Sequence, residues 1–210
     1  MGRYLGPSCK YCRREGMKLM LKGIRCETAK CPVEKKQRNL APGVHGWRRP
    51  RASEYAVRLR EKQKVKRYYG LLERQFIQIF HRAERIKGNT GQTLLQLLER
   101  RLDNVVYKLN FASSRKAARQ LIAHGHICVN GRKVDLSSYT IKVGDKITLK
   151  DSQKSAKKVK QQLESNPNFT TQDWLQLNRE KPEASIVAMP TRDDVQIPVE
   201  EHLVVEFCSR

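Results

Sequence analysis

With 210 residues, 39% of them hydrophobic and 30% charged, the chain carries enough apolar material for one or two folded domains. Its 43 Lys and Arg against 21 Asp and Glu give a formal charge of +22, far beyond what solubility requires, so a polyanionic partner is expected. No apolar run reaches membrane-spanning length and no signal or lipidation pattern opens the sequence, so the expectation is a soluble cytoplasmic protein with no membrane partner.

The charge is uneven. Residues 1–70 hold 20 Lys/Arg and 5 Asp/Glu, whereas residues 183–210 hold 2 and 6. The N-terminal third is therefore the strongest electrostatic footprint, and the acidic tail either folds back on the chain's own cations or meets another partner.

Cys9 and Cys12, two residues apart, and Cys26 and Cys31, four apart, form two close pairs. Two such pairs can bend around one tetrahedral ion, and the metal then substitutes for a core that so short a segment lacks, so a structural zinc is expected. Disulfides, disfavoured inside a cell, four unligated thiols, or an iron-sulfur cluster are the alternatives. Cys128 and Cys208 are isolated and read as packing residues. Arg3, Lys10, Arg13, Arg14, Lys18, Lys22 and Arg25 surround the cysteines, with Tyr4 and Tyr11 among them, a mixture suited to phosphate contact and base stacking.

Residues 41–51, APGVHGWRRPR, are rich in Gly, Pro and Arg and read as a loop. Ser53 then caps a helix through Tyr69, closed by Gly70. Arg58, Arg60, Lys62, Lys64, Lys66 and Arg67 leave it cationic around most of its circumference, with Glu54 and Glu61 as its own acids, so the excess points to phosphate. Leu72, Phe76, Ile79, Phe80 and Ala83 mark another helix, stopped by Gly88 and Asn89.

From Thr93 to Leu149 the grammar is fullest. Thr93 with Gln96 suggests a capping box, and Leu95, Leu98, Leu102, Val105, Val106 and Leu109 recur as the stripe of one amphipathic helix. Ser113 or Ser114 caps a second helix carrying Ala117, Ala118, Leu121 and Ile122 and ending at Gly125. Ile127 and Val129 alternate with polar neighbours, Asn130-Gly131 favours a type I′ turn, Val134 begins the returning strand, and a turn at Val143–Asp145 leads into a strand through Ile147 and Leu149. Arg115, Lys116 and Arg119 on the helix and Arg132 and Lys133 beside Asn130 could share one cationic face able to pair with phosphate or stack on bases. Beyond Leu149, Val159 and Leu163 lie on a short helix broken near Pro167. Thr170–Leu177 is a strand or a helix start, Ile186–Met189 a strand, and Leu203–Phe207 a final strand-like run.

The run SRKAARQLIAHGHICVNGRKVD followed by VGDKI resembles the small αα-plus-β RNA-binding domain named after ribosomal protein S4. RYLGPSCKYCRREG, APGVHG, YAVRLREKQKVKRYYG, LLERQF, RLDNVVYKL and PVEEHLVVEFCSR resemble the bacterial S4 family over almost the whole chain. The resemblance implies direct binding to the five-prime domain of small-subunit rRNA, nucleation of subunit-body assembly, and a contribution to decoding accuracy. It further implies messenger RNA near Arg48, Arg49 and Arg51, and small-subunit protein five against the C-terminal region. Without it, the residues alone support a basic RNA-binding protein braced by zinc.

The expected fold class is α+β. Residues 1–45 form a cysteine knuckle and basic loop, residues 46–92 a helical domain joined by segment 184–210, and residues 93–183 an α+β domain holding the RNA-binding module at about 99–163. Similar modules are appended to RNA-modifying enzymes and non-ribosomal RNA binders, which is the alternative reading. Yet no phosphate-cradling glycine loop, nucleophile elbow or paired-histidine metal motif occurs, so no catalytic residue and no small-molecule substrate are expected. His124-Gly125-His126 reads as a helix end. The cysteine spacing is not that of a DNA-binding Cys-Cys-His-His finger.

Overall fold

The computed structural model describes residues 4–35, 38–47, 51–150, 153–166, 169–178 and 182–209. Arg3, Arg48 and Arg49 lie outside the described residues, as does Pro167. The chain forms two compact units, one holding the described residues up to Leu94 and from Gln196 onward, the other Leu95–Val195.

In the first unit, α1 (Cys9–Glu15) is followed by a 3-10 turn (Gly23–Cys26), α2 (Glu54–Tyr68), α3 (Glu73–Glu84) and the start of α4 (Thr90–Glu99). The Ser53 hydroxyl accepts from the Ala56 N–H, the expected cap of α2, and Gly70 with φ 65° ends the turn beyond it. The described chain ends in α8 (Glu201–Cys208), where a strand-like run was expected. Three β-branched or aromatic residues suggest a strand, but packing decides: Val204 is 1% exposed, and Phe207 reaches Tyr55 on α2, ring centroids 5.4 Å apart. Helical spacing delivers both from one side of α8, which packs against α2.

The second unit corrects the single long helix expected from Thr93. It is two helices, α4 and α5 (Leu102–Lys108), parted at Arg100–Arg101. The backbone there turns extended, with Arg101 at φ −68° and ψ 136°, because it pairs with residues 140–141: Arg101 bridges Thr140, and the Ile141 N–H donates to the Arg100 carbonyl at 3.0 Å. The first N–H groups of α5 are satisfied by the carbonyls of Tyr139 and Ser137 instead of a side-chain cap. The start of α4 is also different. Asn89 Oδ1 accepts from Gly91 and Gln92 N–H, so Asn89 is the cap and the Thr93–Gln96 box is not formed.

The rest of the module follows the sequence with one correction: the returning strand, expected to begin at Val134, is Arg132–Lys133 and ends before Val134, because the tight turn puts Arg132 directly opposite Val129. Ser114 caps α6 (Arg115–Ala123), and Gly125 at φ 70° closes it. β1 (Ile127–Val129) and β2 (Arg132–Lys133) are joined by Asn130 and Gly131 at φ 51° and 77°, the left-handed pair that a type I′ turn demands. After β3 (Lys146–Leu149) come α7 (Gln153–Glu164), β4 (Leu175–Asn178) and β5 (Glu183–Ile186). The five strands form one antiparallel sheet in the order β2-β1-β3-β5-β4.

The expected strand at Ile186–Met189 begins earlier, because Ala184 and Ile186 are buried while Val187 and Met189 are exposed. This also moves the return of the tail to the first unit from residue 184 to Gln196, since Glu183–Ile186 is hydrogen-bonded between β3 and β4. The sheet buries one face, Ile127, Val129, Ile147, Ala184, Ile186 and Leu175, into a core shared with α5, α6, Val159 and Trp174.

Candidate nucleic-acid interface

The six cations of α2 are not left to solvent. Arg58 meets Glu54 at 3.0 Å and Glu206 at 2.5 Å, Lys66 meets Glu73 at 2.6 Å, and Arg60 meets Glu15 at 3.6 Å. Lys62 also pairs with Glu73, Lys64 with Glu61 and Arg67 with Glu15. The acids missing from α2 itself thus arrive from α1, α3 and α8. The acidic tail folds back through Glu206, and Lys62 lies 4.6 Å from the Phe207 ring centroid. Arg67 also stacks at 4.6 Å on Tyr11, tying the cysteine segment to α2. Burial raises the Glu15 carboxyl above its usual range, and Arg67 and Arg60 oppose that shift.

Around the cysteines, Cys12, Cys26 and Cys31 are buried, and all four sulfurs are free thiols. Burial raises the Cys12 and Cys26 thiols, and the neighbouring sulfurs add to the shift, so the four lie in one electrostatic neighbourhood. The Lys22 N–H donates to Cys26 Sγ at 3.4 Å. Among the described residues no group of three or more His, Cys, Asp or Glu side chains is gathered as a metal cluster. Arg13 and Arg14 reach back to the 40–42 loop, donating to the Leu40 and Pro42 carbonyls at 3.4 and 2.9 Å. Arg51 is exposed.

In the second unit the expected cationic face divides in two. Arg115 is buried: its Nε donates to Asn104 Oδ1 at 2.8 Å, and its guanidinium stacks 4.6 Å from the Tyr107 ring centroid. Arg119 Nε donates to Asp103 Oδ2 at 2.6 Å, and Asp103 also takes both prongs of Arg101, at 3.1 and 3.2 Å. Beside them Glu99, fully buried, receives Lys108 at 2.7 Å and Asn104 at 2.6 Å. Lys108 further donates to Gln172 Oε1 and the Asp194 carbonyl, stitching the 172–194 region to α5. Burial holds the Lys108 ammonium below its ordinary pKa, against the pull of Glu99.

Asn130 is engaged as well, donating to Asp145 and accepting from the Lys146 N–H, both at 2.9 Å. Lys116 is half-buried, while Arg132 and Lys133 stand exposed at the hairpin tip, with Lys142, Lys146 and Lys150 also exposed. Sequence reasoning passed over Arg74, Arg82, Arg85 and Lys87, exposed on and just after α3. Their signal was the polar stripe opposite Phe76 and Phe80. The surface this leaves is a scaffold of internally paired cations carrying a further set of exposed ones, the arrangement that phosphate contact in a fixed register requires.

Comparison with known proteins agrees in extent. Residues 3–99 match the family model described as the ribosomal protein S4/S9 N-terminal domain, and residues 100–147 match the S4 domain. Relatives named small ribosomal subunit protein uS4 from Halothermothrix orenii, Gloeobacter violaceus and Clostridioides difficile are 55%, 53% and 52% identical over 210 residues, covering the whole of both chains. With cationic scaffold, helical hairpin and β-hairpin all in place, the chain belongs to the uS4 family of small-subunit ribosomal proteins.

Proposed function

We infer that this protein is a structural constituent of the small ribosomal subunit in the cytoplasm and that it binds small-subunit rRNA directly. The observation that carries this reading is identity of about half over the entire length to relatives bearing that name, across both family segments. Its target is the five-prime domain, where it nucleates assembly of the subunit body and supports decoding accuracy. Messenger RNA is the proposed partner of Arg48, Arg49 and Arg51, and small-subunit protein five that of the C-terminal region. The mechanism is positional: exposed cations neutralise phosphates, and a rigid scaffold selects an RNA shape.

Zinc is the proposed cofactor, held by Cys9, Cys12, Cys26 and Cys31. Four reduced sulfurs in one neighbourhood, three of them buried and one accepting a backbone N–H, suit that ion as a donor set. The metal would brace the segment that α1 presents beside α2.

The exposed hairpin tip supplies the test. Replacing Arg132 and Lys133 together by Gln is expected to weaken rRNA binding and to lower the slope of log affinity against log salt by about two, roughly one for each phosphate no longer neutralised. Gln at 133 keeps most of the stem that lies across Gly125. Filter-binding titrations over a range of salt read the slope, and an unchanged slope would place the RNA-facing surface elsewhere.

A further inference from the structure

The first unit contains a cleft of about 680 Å³ between α1 and the 38–47 loop, within the range of small-ligand sites. Lys10, Arg13 and Arg38 supply its charge, and no Asp or Glu is among the described residues that line it. Leu40 and Pro42 add apolar wall, and Trp47, 63% exposed, is the one aromatic among those residues.

The loop is built to hold this shape. Arg13 and Arg14 tether it at the Leu40 and Pro42 carbonyls, and the Gly46 N–H closes a turn onto the Gly43 carbonyl at 3.3 Å. A Cβ at residue 46 would sit 2.0 Å from the Ala41 carbonyl oxygen, so only glycine fits before Trp47.

We propose that this cleft receives a single unpaired nucleotide extruded from the folded rRNA. Its base stacks on the Trp47 indole, and its phosphate lies among Lys10, Arg13 and Arg38. A largely exposed indole beside three cations matches one part of a nucleotide each: the ring suits the base, the cations the phosphate. A running single strand would need a row of aromatic platforms along a groove, whereas one aromatic in an open cleft serves one base. This assignment rests on the rRNA-binding reading above and adds to it a specific nucleotide-reading site.

The test uses the full-length protein, its Trp47→Ala and Trp47→Phe variants, and the folded five-prime domain of small-subunit rRNA, beside an unstructured oligonucleotide. Trp47→Ala is expected to reduce affinity for the folded rRNA about tenfold or more, the size of one base–aromatic stack, with the salt slope unchanged because no cation is removed. Trp47→Phe keeps a stacking ring and is expected to stay within about threefold of the wild type. Indole emission should be quenched when rRNA binds, against the constant signal of the buried Trp174.

If the wild type prefers the folded rRNA while Trp47→Ala binds it equally well, the cleft assignment fails and the rRNA reading stands. Equal quenching by the unstructured oligonucleotide would make the occupant a running strand and overturn the proposal as stated. A wild type with no preference for the folded rRNA would sink both together.

Discussion

Replacing Glu99 by Ala is expected to destabilise the Leu95–Val195 unit by about 3–5 kcal/mol, the usual cost of leaving one member of a buried ion pair uncompensated. Glu99 is fully buried and Lys108 almost so, at 5% exposure, and the Asn104 amide that orients Arg115 also donates to Glu99. Removing the carboxylate therefore strands an ammonium and loosens the anchor of a second cation. For a unit of this size the melting temperature should fall by more than about 10 °C.

The effect carries a pH signature. Burial sets the folded Lys108 pKa below the ordinary lysine value, so the folded state binds fewer protons than the unfolded state, and this group's contribution to stability rises with pH up to that ordinary value. Loss of Glu99 lowers the folded pKa further. The variant's deficit is thus expected to narrow as pH rises from neutral toward the lysine range. Paired thermal melts of wild type and variant across that range read this out, and a deficit that is small or flat with pH would remove the network from its supporting role.

Metal removal is expected to have the other large effect. Purified protein should carry one zinc per chain, and structural zinc contributes an apparent 10–16 kcal/mol or so in small sites. Stripping it with a strong chelator, or replacing Cys26 by Ser, is expected to raise hydrogen exchange throughout Cys9–Cys31 while leaving Leu95–Val195 protected. Elemental analysis and exchange mass spectrometry measure the two parts separately. A chain expressed with ample zinc that holds none, with four thiols that react freely and unchanged exchange after chelation, would leave the cysteines as packing residues.

The local signals proved the most legible. Ser53, Ser114, Gly70, Gly125 and the Asn130-Gly131 pair each impose a backbone geometry on their own neighbours, and each lies where the sequence implied. What the sequence hid was set by distant contacts. The apolar stripe runs unbroken through Arg100 and Arg101, yet the helix parts there because Thr140 and Ile141 pair with that backbone. Leu203–Phe207 has the composition of a strand and folds as a helix, because α2 offers a surface for Val204 and Phe207.

The site shows the same division. The cations of α2 could be counted from the sequence, but their partners Glu15, Glu73 and Glu206 lie up to 148 residues away, so the pairing that offsets this charge was not legible in α2 itself. Arg115 and Arg119 likewise serve Asn104 and Asp103 before any phosphate.

The central claim, that this scaffold recognises one folded rRNA by shape, is tested most directly by titrating the protein against the folded five-prime domain of small-subunit rRNA and an unrelated structured RNA of equal length at physiological salt. The account predicts a preference of a hundredfold or more, about 2.7 kcal/mol. Equal affinity for the two would contradict it and reduce the protein to a general cationic RNA binder.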